Sequence, residues 1–599
     1  MMYNKLIITV IFSLFATIAT AQEQIPYSIH KEQSDYYKSL HLTTTAEYDS
    51  VQGFNREKVQ PLPDDFTLTK RVFGYFPYWA GTNYLNYQWD LLSDFCHFSY
   101  EVDPATGNPT TTHNWYTSEA IDMAMDNNVD VHLCVTLFSG HYTFFNSTTA
   151  PQNLIDNIIT LVQDRNAKGV NIDFEAMPSA YGDDFTDFMI ALSEQMHSAV
   201  PGSEVSIAAP AVNWNNTFNI PGLNEYIDFF MVMAYDYYWN GSSTAGPVSP
   251  LYSMTSSGRN FSRTISYYQN QGVPNEKIVM GVPYYGRQWP TANQFAPSST
   301  TGSGTAYTYR YIRNNNSGYY SNQNKYWESN SFSPYFSFYT NGWNQCFMED
   351  PYSLGKKYDI VNRRNLGGIG IWALGYDNGY TDFWEVIANR FTTSSPYILS
   401  DTIFDSGGPT FNYYDDESYT FTIPVPQDKQ IDINFDYVNT ESGYDTLWIY
   451  DGDINSPLID FFTGNNGPVT IESSSNILTL KFYSDGATTA QGWRAVYSAV
   501  DPTSTNENFL DNTKNFKIWP NPFTRKLNIS CYFDISSEII LELFDVQGRS
   551  VFNKNIGFSR KGENTFQITI DDGIIKSGIY TVILKSGGIN LRKGIAIKN

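Results

Sequence analysis

Four cysteines in 599 residues are too few for a disulfide framework, and the spacing of Cys96, Cys134, Cys346 and Cys531 matches no metal pattern. Cys96 and Cys134 lie in apolar, strand-like runs, which predicts buried free thiols. Positive charge is scarce as well: 37 Lys and Arg against 61 Asp and Glu leave a net charge of −24. A surface of that sign argues against nucleic acid or an anionic membrane as partner and suits a neutral substrate. Past the N-terminus, no apolar run reaches the length of a membrane span.

At the N-terminus, Lys5, the apolar run Leu6 to Ile18 and the small-residue site Ala19-Thr20-Ala21 read as a secretory signal over residues 1–21. The mature chain then begins at Gln22, with an extension over 22–68. Aromatic residues are abundant, 45 Tyr and 13 Trp among them. Such rings stack on the C–H faces of sugars, although core packing accounts for most of them.

From Arg71 to about Trp372, short β-branched or aromatic runs alternate with helix-like stretches such as Leu154–Ala167 and Asp184–Ala199. Eight strands are predicted, at Val72–Phe76, Asp94–Tyr100, Asp130–Leu137, Gly169–Glu175, Glu204–Pro210, Ile227–Tyr235, Lys277–Tyr284 and Gly367–Trp372. This alternation predicts an α/β fold, a (β/α)8 TIM barrel over residues 69–396. The long gap before the eighth strand predicts a small α+β insertion at about 287–348. Residues 397–500 alternate in the manner of an all-β sandwich. A polar linker follows over 501–513, then a C-terminal all-β segment over 514–599.

The fourth predicted strand holds the sharpest chemical signal. Residues two apart in a strand share a face, so Asn171, Asp173 and Glu175 point one way and Val170, Ile172 and Phe174 the other. Two carboxyls on one face of an apolar strand cost desolvation and repulsion, and such a pair yields a raised pKa suited to a general acid. The alternative is an exposed edge strand with solvated acids. Tyr235 with Asp236 ends the sixth strand and Trp372 the eighth. In a barrel of this kind all three strand ends meet at the C-terminal face, where active sites lie.

At these positions the chain resembles glycoside hydrolase family 18, the chitinase family. The signature D-G-x-D-x-D-x-E stands as Lys168-Gly169-Val170-Asn171-Ile172-Asp173-Phe174-Glu175, M-x-Y-D as Met233-Ala234-Tyr235-Asp236, and the last-strand tryptophan as Trp372; Gly74-Tyr75-Phe76 matches the first strand. The resemblance implies a substrate-assisted retaining glycosidase. Glu175 would protonate the glycosidic oxygen, and the substrate's own 2-acetamido oxygen would attack. Asp173 would hold the acetamido N–H, Tyr235 its oxygen, and Trp372 would lie under the ring. Asn171, Met233, Asp236 and Tyr75 would complete the sugar site, with Trp79 and Trp239 as platforms in loops of the same face. No cofactor is implied for catalysis. Three departures stand out: Asn171 replaces an Asp, Lys168 replaces the first Asp, and Val135–Gly140 lacks the family's S-x-G-G. An amide at 171 can donate to Asp173 but cannot share a proton with it, which predicts a more firmly ionised Asp173.

The second domain resembles a CUB module, through Tyr444-Asp445-Thr446-Leu447-Trp448-Ile449-Tyr450-Asp451-Gly452 and Leu480–Gly486. That resemblance implies a Ca2+ site at Glu441, Asp445 and Asp485, a donor set suited to a hard cation. The C-terminal segment resembles the sorting domain of the type IX secretion system, through Ile518-Trp519-Pro520-Asn521-Pro522-Phe523, Leu543–Arg549 and Ser577-Gly578-Ile579-Tyr580. It implies a Bacteroidetes-type bacterium, a secreted or cell-surface location and the type IX machinery as partner. The expected function is cleavage of β-1,4-linked N-acetylglucosamine polymers of the chitin type within the chain. The alternatives are an endo-β-N-acetylglucosaminidase on N-glycans or peptidoglycan and a non-catalytic chitin-binding lectin. An adhesin driven by the CUB-like domain is a third.

Overall fold

The computed structural model describes residues 28–53, 62, 65–256, 258–502, 516–533, 538–545, 549–560, 562–571, 573–586 and 589–598. The expected signal over 1–21 and nearly all of the linker lie outside the described residues. The described residues up to Val500 form one compact unit and those from Asp501 onward a second.

Eight parallel strands close into a barrel: β1 Arg71–Pro77, β2 Asp94–Val102, β3 Asp130–Leu137, β4 Gly169–Phe174, β5 Glu204–Pro210, β6 Phe229–Met233, β7 Ile278–Pro283 and β8 Gly368–Trp372. Each pairs with the next in order, and β8 returns to β1. Most strand residues are buried because helices cover the outer face while side chains fill the interior. The two predicted helical stretches form Ala150–Arg165 and Gly182–Ala199, whose buried Leu154, Ile158, Leu161, Phe185, Met189, Leu192 and Met196 keep helical spacing against the sheet.

The interior is layered. Phe73, His132 and Phe229 pack as rings near the N-terminal end. Above them runs a polar layer in which Tyr75 Oη donates to Asn171 Oδ1 at 2.7 Å and Asn171 Nδ2 donates to Ser206 Oγ at 2.9 Å. The insertion is a five-stranded antiparallel sheet from Tyr285 to Phe347 with a helix at Tyr309–Asn314, so it begins two residues before the expected boundary. Cys96 and Cys134 are buried free thiols, as expected, and Cys346 and Cys531 are buried too.

Residues 400–500 form two packed antiparallel sheets around Ile433, Phe435, Leu447, Ile449, Leu480 and Trp493. This sandwich is locked to the barrel. Arg364 lies 3.8 Å over the Tyr419 ring, Arg363 pairs with Asp401 at 2.9 Å, and Ser266 Oγ donates to the buried Glu417 at 2.6 Å. The second unit, taken by itself, holds a three-stranded and a four-stranded sheet around Leu527, Ile529, Leu541, Leu543 and Val582. Among the described residues no helix is long and apolar enough to cross a membrane.

Among the described residues two helices precede the barrel, α1 Ile29–Ser39 and α2 Thr45–Gln52. Ser28 caps α1 by accepting from Lys31 N, and Thr44 with Glu47 forms a capping box on α2. α1 has no continuous apolar stripe: only Ile29, His30 and Ser34 are buried.

Candidate active site

β4 delivers its polar face into the barrel mouth. Asp173 is fully buried, and Glu175, one residue past the strand end, is 9% exposed. Ala176 takes φ 52° and turns the chain away directly after Glu175. On β6 the strand ends at Met233, and Tyr235 follows in the connecting bend. Gly281 on β7 is required there, because a Cβ would come within 2.8 Å of the Tyr235 ring. Trp372 closes β8 with its side chain wholly buried. Asp173, Glu175, Tyr235 and Trp372 therefore meet at the C-terminal face of the barrel, together with Asp236, whose Oδ1 accepts from Tyr285 Oη at 2.7 Å and Arg287 Nη2 at 3.3 Å.

The N-terminus of α1 fills the centre of this cluster. The His30 ring stacks on Trp372 with centroids 3.6 Å apart and planes 25° apart. Its Nδ1 lies 2.9 Å from Asp173 Oδ2 and 3.4 Å from Glu175 Oε1, and its Nε2 lies 2.8 Å from Tyr235 Oη. Ile29 N donates to Asp236 Oδ2 at 3.0 Å. Glu32 accepts from Arg287 at 3.0 Å, and Gln33 Oε1 accepts from Trp372 Nε1 at 2.9 Å and from Tyr376 Oη at 2.7 Å.

Burial, which penalises the charged form, lowers His30 to about 4 against the raising influence of Glu175 and Asp236. A neutral ring satisfies both partners with Nδ1–H donating to Asp173 and Nε2 accepting from the Tyr235 hydroxyl. Burial raises Asp173 to about 8. Burial and then the Asp173 charge raise Glu175 to about 8, and the His30 ring only partly offsets this. A carboxyl held that high carries its proton at neutral pH and can donate it to a leaving oxygen. Beyond Glu175 an open cavity of about 530 Å³ continues, lined by Met233, Asp236, Trp214 and Trp239 among others.

Three expectations need correction. The Asn171 amide does not reach Asp173; its oxygen is taken by Tyr75 and its nitrogen by Ser206, one layer below. Asp173 is not more firmly ionised but raised, because burial dominates at its position. Trp79 is wholly buried, donates Nε1 to Tyr376 Oη at 2.9 Å and stacks on Tyr37 of α1 at 5.0 Å, so the N-terminal segment covers it. Trp239 is half-buried on the cavity wall. Sequence reasoning missed His30, Glu32 and Gln33, and also Tyr285, Arg287 and Tyr376. The capping box at Thr44 and Glu47 marks a helix in the extension, but no local pattern says where that extension docks.

In the sandwich, Glu441, Asp445 and Asp485 each bring an oxygen within 4.8 Å of the others. Asp445 is buried and accepts from Tyr413 Oη and, at 2.9 Å, from Asp485 N. Desolvation, followed by the neighbouring Asp485, Asp445 and Asp415 charges, pushes the Glu441 carboxyl up.

Residues 71–377, just over half of the chain, match the family described as glycosyl hydrolases family 18. Residues 395–497 match the CUB domain, and residues 517–598 match the secretion system C-terminal sorting domain. A Caenorhabditis elegans protein named "Probable endochitinase" is 28% identical over 256 residues, which cover 39% of this chain and only 40% of that relative. A Bacillus anthracis protein named cortical fragment-lytic enzyme is 20% identical over 323 residues, covering 50% of this chain and 69% of that relative. The crystal structure of a chitinase from Chromobacterium violaceum is 21% identical with a TM-score of 0.44, covering 53% of this chain and 98% of that one. On its matched barrel, the chain belongs to the glycosyl hydrolases of family 18.

Proposed function

We propose that the barrel cleaves β-1,4 linkages of N-acetylglucosamine polymers of the chitin type by a substrate-assisted, retaining route. The observation that carries the reading is the buried pair Asp173 and Glu175 beside Tyr235, with the Glu175 carboxyl raised by burial and opening onto a cavity. Glu175 gives its proton to the glycosidic oxygen. The substrate's acetamido oxygen attacks the anomeric carbon as that bond breaks, giving an oxazolinium ion. In its ionised form Asp173 accepts the acetamido N–H and offsets the positive charge that develops, while Tyr235 Oη donates to the acetamido oxygen and aligns it for attack. Trp372 lies beneath the ring that reacts. Asp236, held by Tyr285 and Arg287, meets a sugar hydroxyl, and Met233, Trp214 and Trp239 line the side on which the leaving chain departs. Tyr75 and Asn171 support Asp173 from below. Water then opens the oxazolinium ion, with Glu175 taking the water's proton.

The expected result is hydrolysis of chitin oligomers by the chain freed of residues 22–53, with loss of about a thousandfold or more in Glu175→Gln. Intact oligomers in both, with binding retained, would replace this reading with the lectin. Neither cleavage nor binding would move the substrate to N-glycans or peptidoglycan.

The signal over 1–21 and the C-terminal sorting domain support export in two steps through the type IX machinery, with loss of the tail afterwards. Glu441, Asp445 and Asp485 offer three carboxylate oxygens and an acidic crowding, which fit a bound Ca2+; the ion would brace the sandwich and takes no part in the sugar chemistry.

A further inference from the structure

Resting on that reading of the site, we infer that residues 28–53 are a built-in inhibitor: the His30 imidazole stands where the acetamido group of the substrate would stand, and the chain is latent until this segment leaves. Two features of the substrate group are reproduced. An acetamido group presents an N–H and, across one carbon, an oxygen acceptor. A neutral imidazole presents an N–H and, across one carbon, a nitrogen acceptor. His30 offers the N–H to Asp173 and the acceptor to Tyr235, and its flat ring covers Trp372 at 3.6 Å. Gln33 takes the Trp372 Nε1, and Glu32 takes Arg287. The Ile29 N–H takes Asp236, where the proposed function places a sugar hydroxyl.

The segment is suited to leaving. It precedes the matched barrel, which begins at residue 71. α1 has no continuous apolar stripe: besides Ile29 and the stacked rings of His30 and Tyr37 it is held through polar contacts with the site, and those polar partners can be regained from water or sugar hydroxyls. α2 supplies a separate anchor: Thr82 N and Oγ1 both donate to Asp49 at 2.8 Å, and Gln52 Nε2 donates to Trp79 O at 2.9 Å. Tethering through α2 keeps His30 at high effective concentration over the site, so the inhibition is intramolecular and survives dilution of the intact chain.

The test uses the full chain carrying a recognition sequence for a site-specific protease inserted after Gly53. Hydrolysis of chitin hexamer is measured before the cut, after the cut with the released segment separated, and in uncut His30→Ala. The expected result is a rise in kcat/KM of about tenfold or more on cutting and a smaller rise in uncut His30→Ala, as each 1.4 kcal/mol of lost closure is a factor of ten. A synthetic peptide of residues 28–53 should then inhibit the cut chain competitively. Equal rates in all three forms would overturn the inference while leaving the hydrolase reading intact. If no form cleaves, hexamer binding decides: binding gained on cutting keeps the occlusion and removes the hydrolase reading, and equal binding before and after removes the occlusion.

Discussion

The barrel holds two clusters of the same composition, one at each end: a histidine with two acidic side chains. At the N-terminal end, His132 Nε2 lies 2.9 Å from Asp94 Oδ1, with Glu204 beside them. At the C-terminal end, His30 meets Asp173 and Glu175. Their electrostatics are opposite. Burial alone would raise Asp94, but hydrogen bonds from His132 and the Arg71 charge reverse this and hold it below its ordinary value. Arg71 reaches Asp94 at 2.7 Å and Glu204 at 2.8 and 2.9 Å. Among the described residues no cation of that kind faces Asp173, and both upper carboxyls rise to about 8. The His132 hydrogen bond and one guanidinium thus separate a cluster that holds strands together from one poised to give up a proton, in keeping with the division of such barrels into a stabilising end and a reacting end.

Removing that guanidinium should be the severest way to break the contrast. Arg71→Met is expected to destabilise the chain by about 2–4 kcal/mol, because two acids lose their counter-charge; a urea titration measures it. The lower end of that range reflects the quarter of the Arg71 side chain that meets solvent.

The pH dependence of stability is the next largest effect. Asp173 and Glu175 are raised above their ordinary 3.8 and 4.5, so the native chain binds more protons than the unfolded one up to about pH 8. Stability therefore falls as pH rises through that window. His30, lowered from 6.5 to about 4, acts in the opposite sense only below 6.5. Between pH 6.5 and 8 the intact chain should lose about 3 kcal/mol, and Glu175→Gln should flatten part of that loss.

Asn171→Asp sharpens the comparison by adding a third carboxyl beneath Asp173. Tyr75 and Ser206 hydroxyls can both donate to it, so the variant should fold. The pH–rate profile of the freed enzyme should move by about half a unit or more, and an unmoved profile would show that the layer below does not set the charge of the layer above. The smallest effect concerns the acids of the sandwich. Ca2+ should raise the melting temperature by about 3 °C in the native chain and leave Asp445→Asn unmoved.

The barrel was legible in the sequence because it is written in local patterns. Eight apolar runs alternate with helical spacing, and each strand predicted from them is present within a few residues. The residues brought together at one face, Asp173, Glu175, Tyr235 and Trp372, were legible for the same reason: they end strands, and strand ends in a closed barrel meet. The contents of the site were not legible. His30 lies 143 residues from Asp173 in the chain, on a helix with no apolar stripe to mark it as docked. The Asn171 contacts were misjudged for a related reason. Alternation says that 171 and 173 share a face, but not that Tyr75 and Ser206, from two other strands, would claim the amide first.

The central claim is that the substrate supplies its own nucleophile at this site. The direct measurement is hydrolysis by the chain freed of residues 22–53, using two oligomers that differ only in their acetyl groups, chitin hexamer and its fully de-N-acetylated counterpart. The account predicts cleavage of the first, with the anomeric configuration retained in the initial product, and none of the second. Comparable cleavage of both would contradict it.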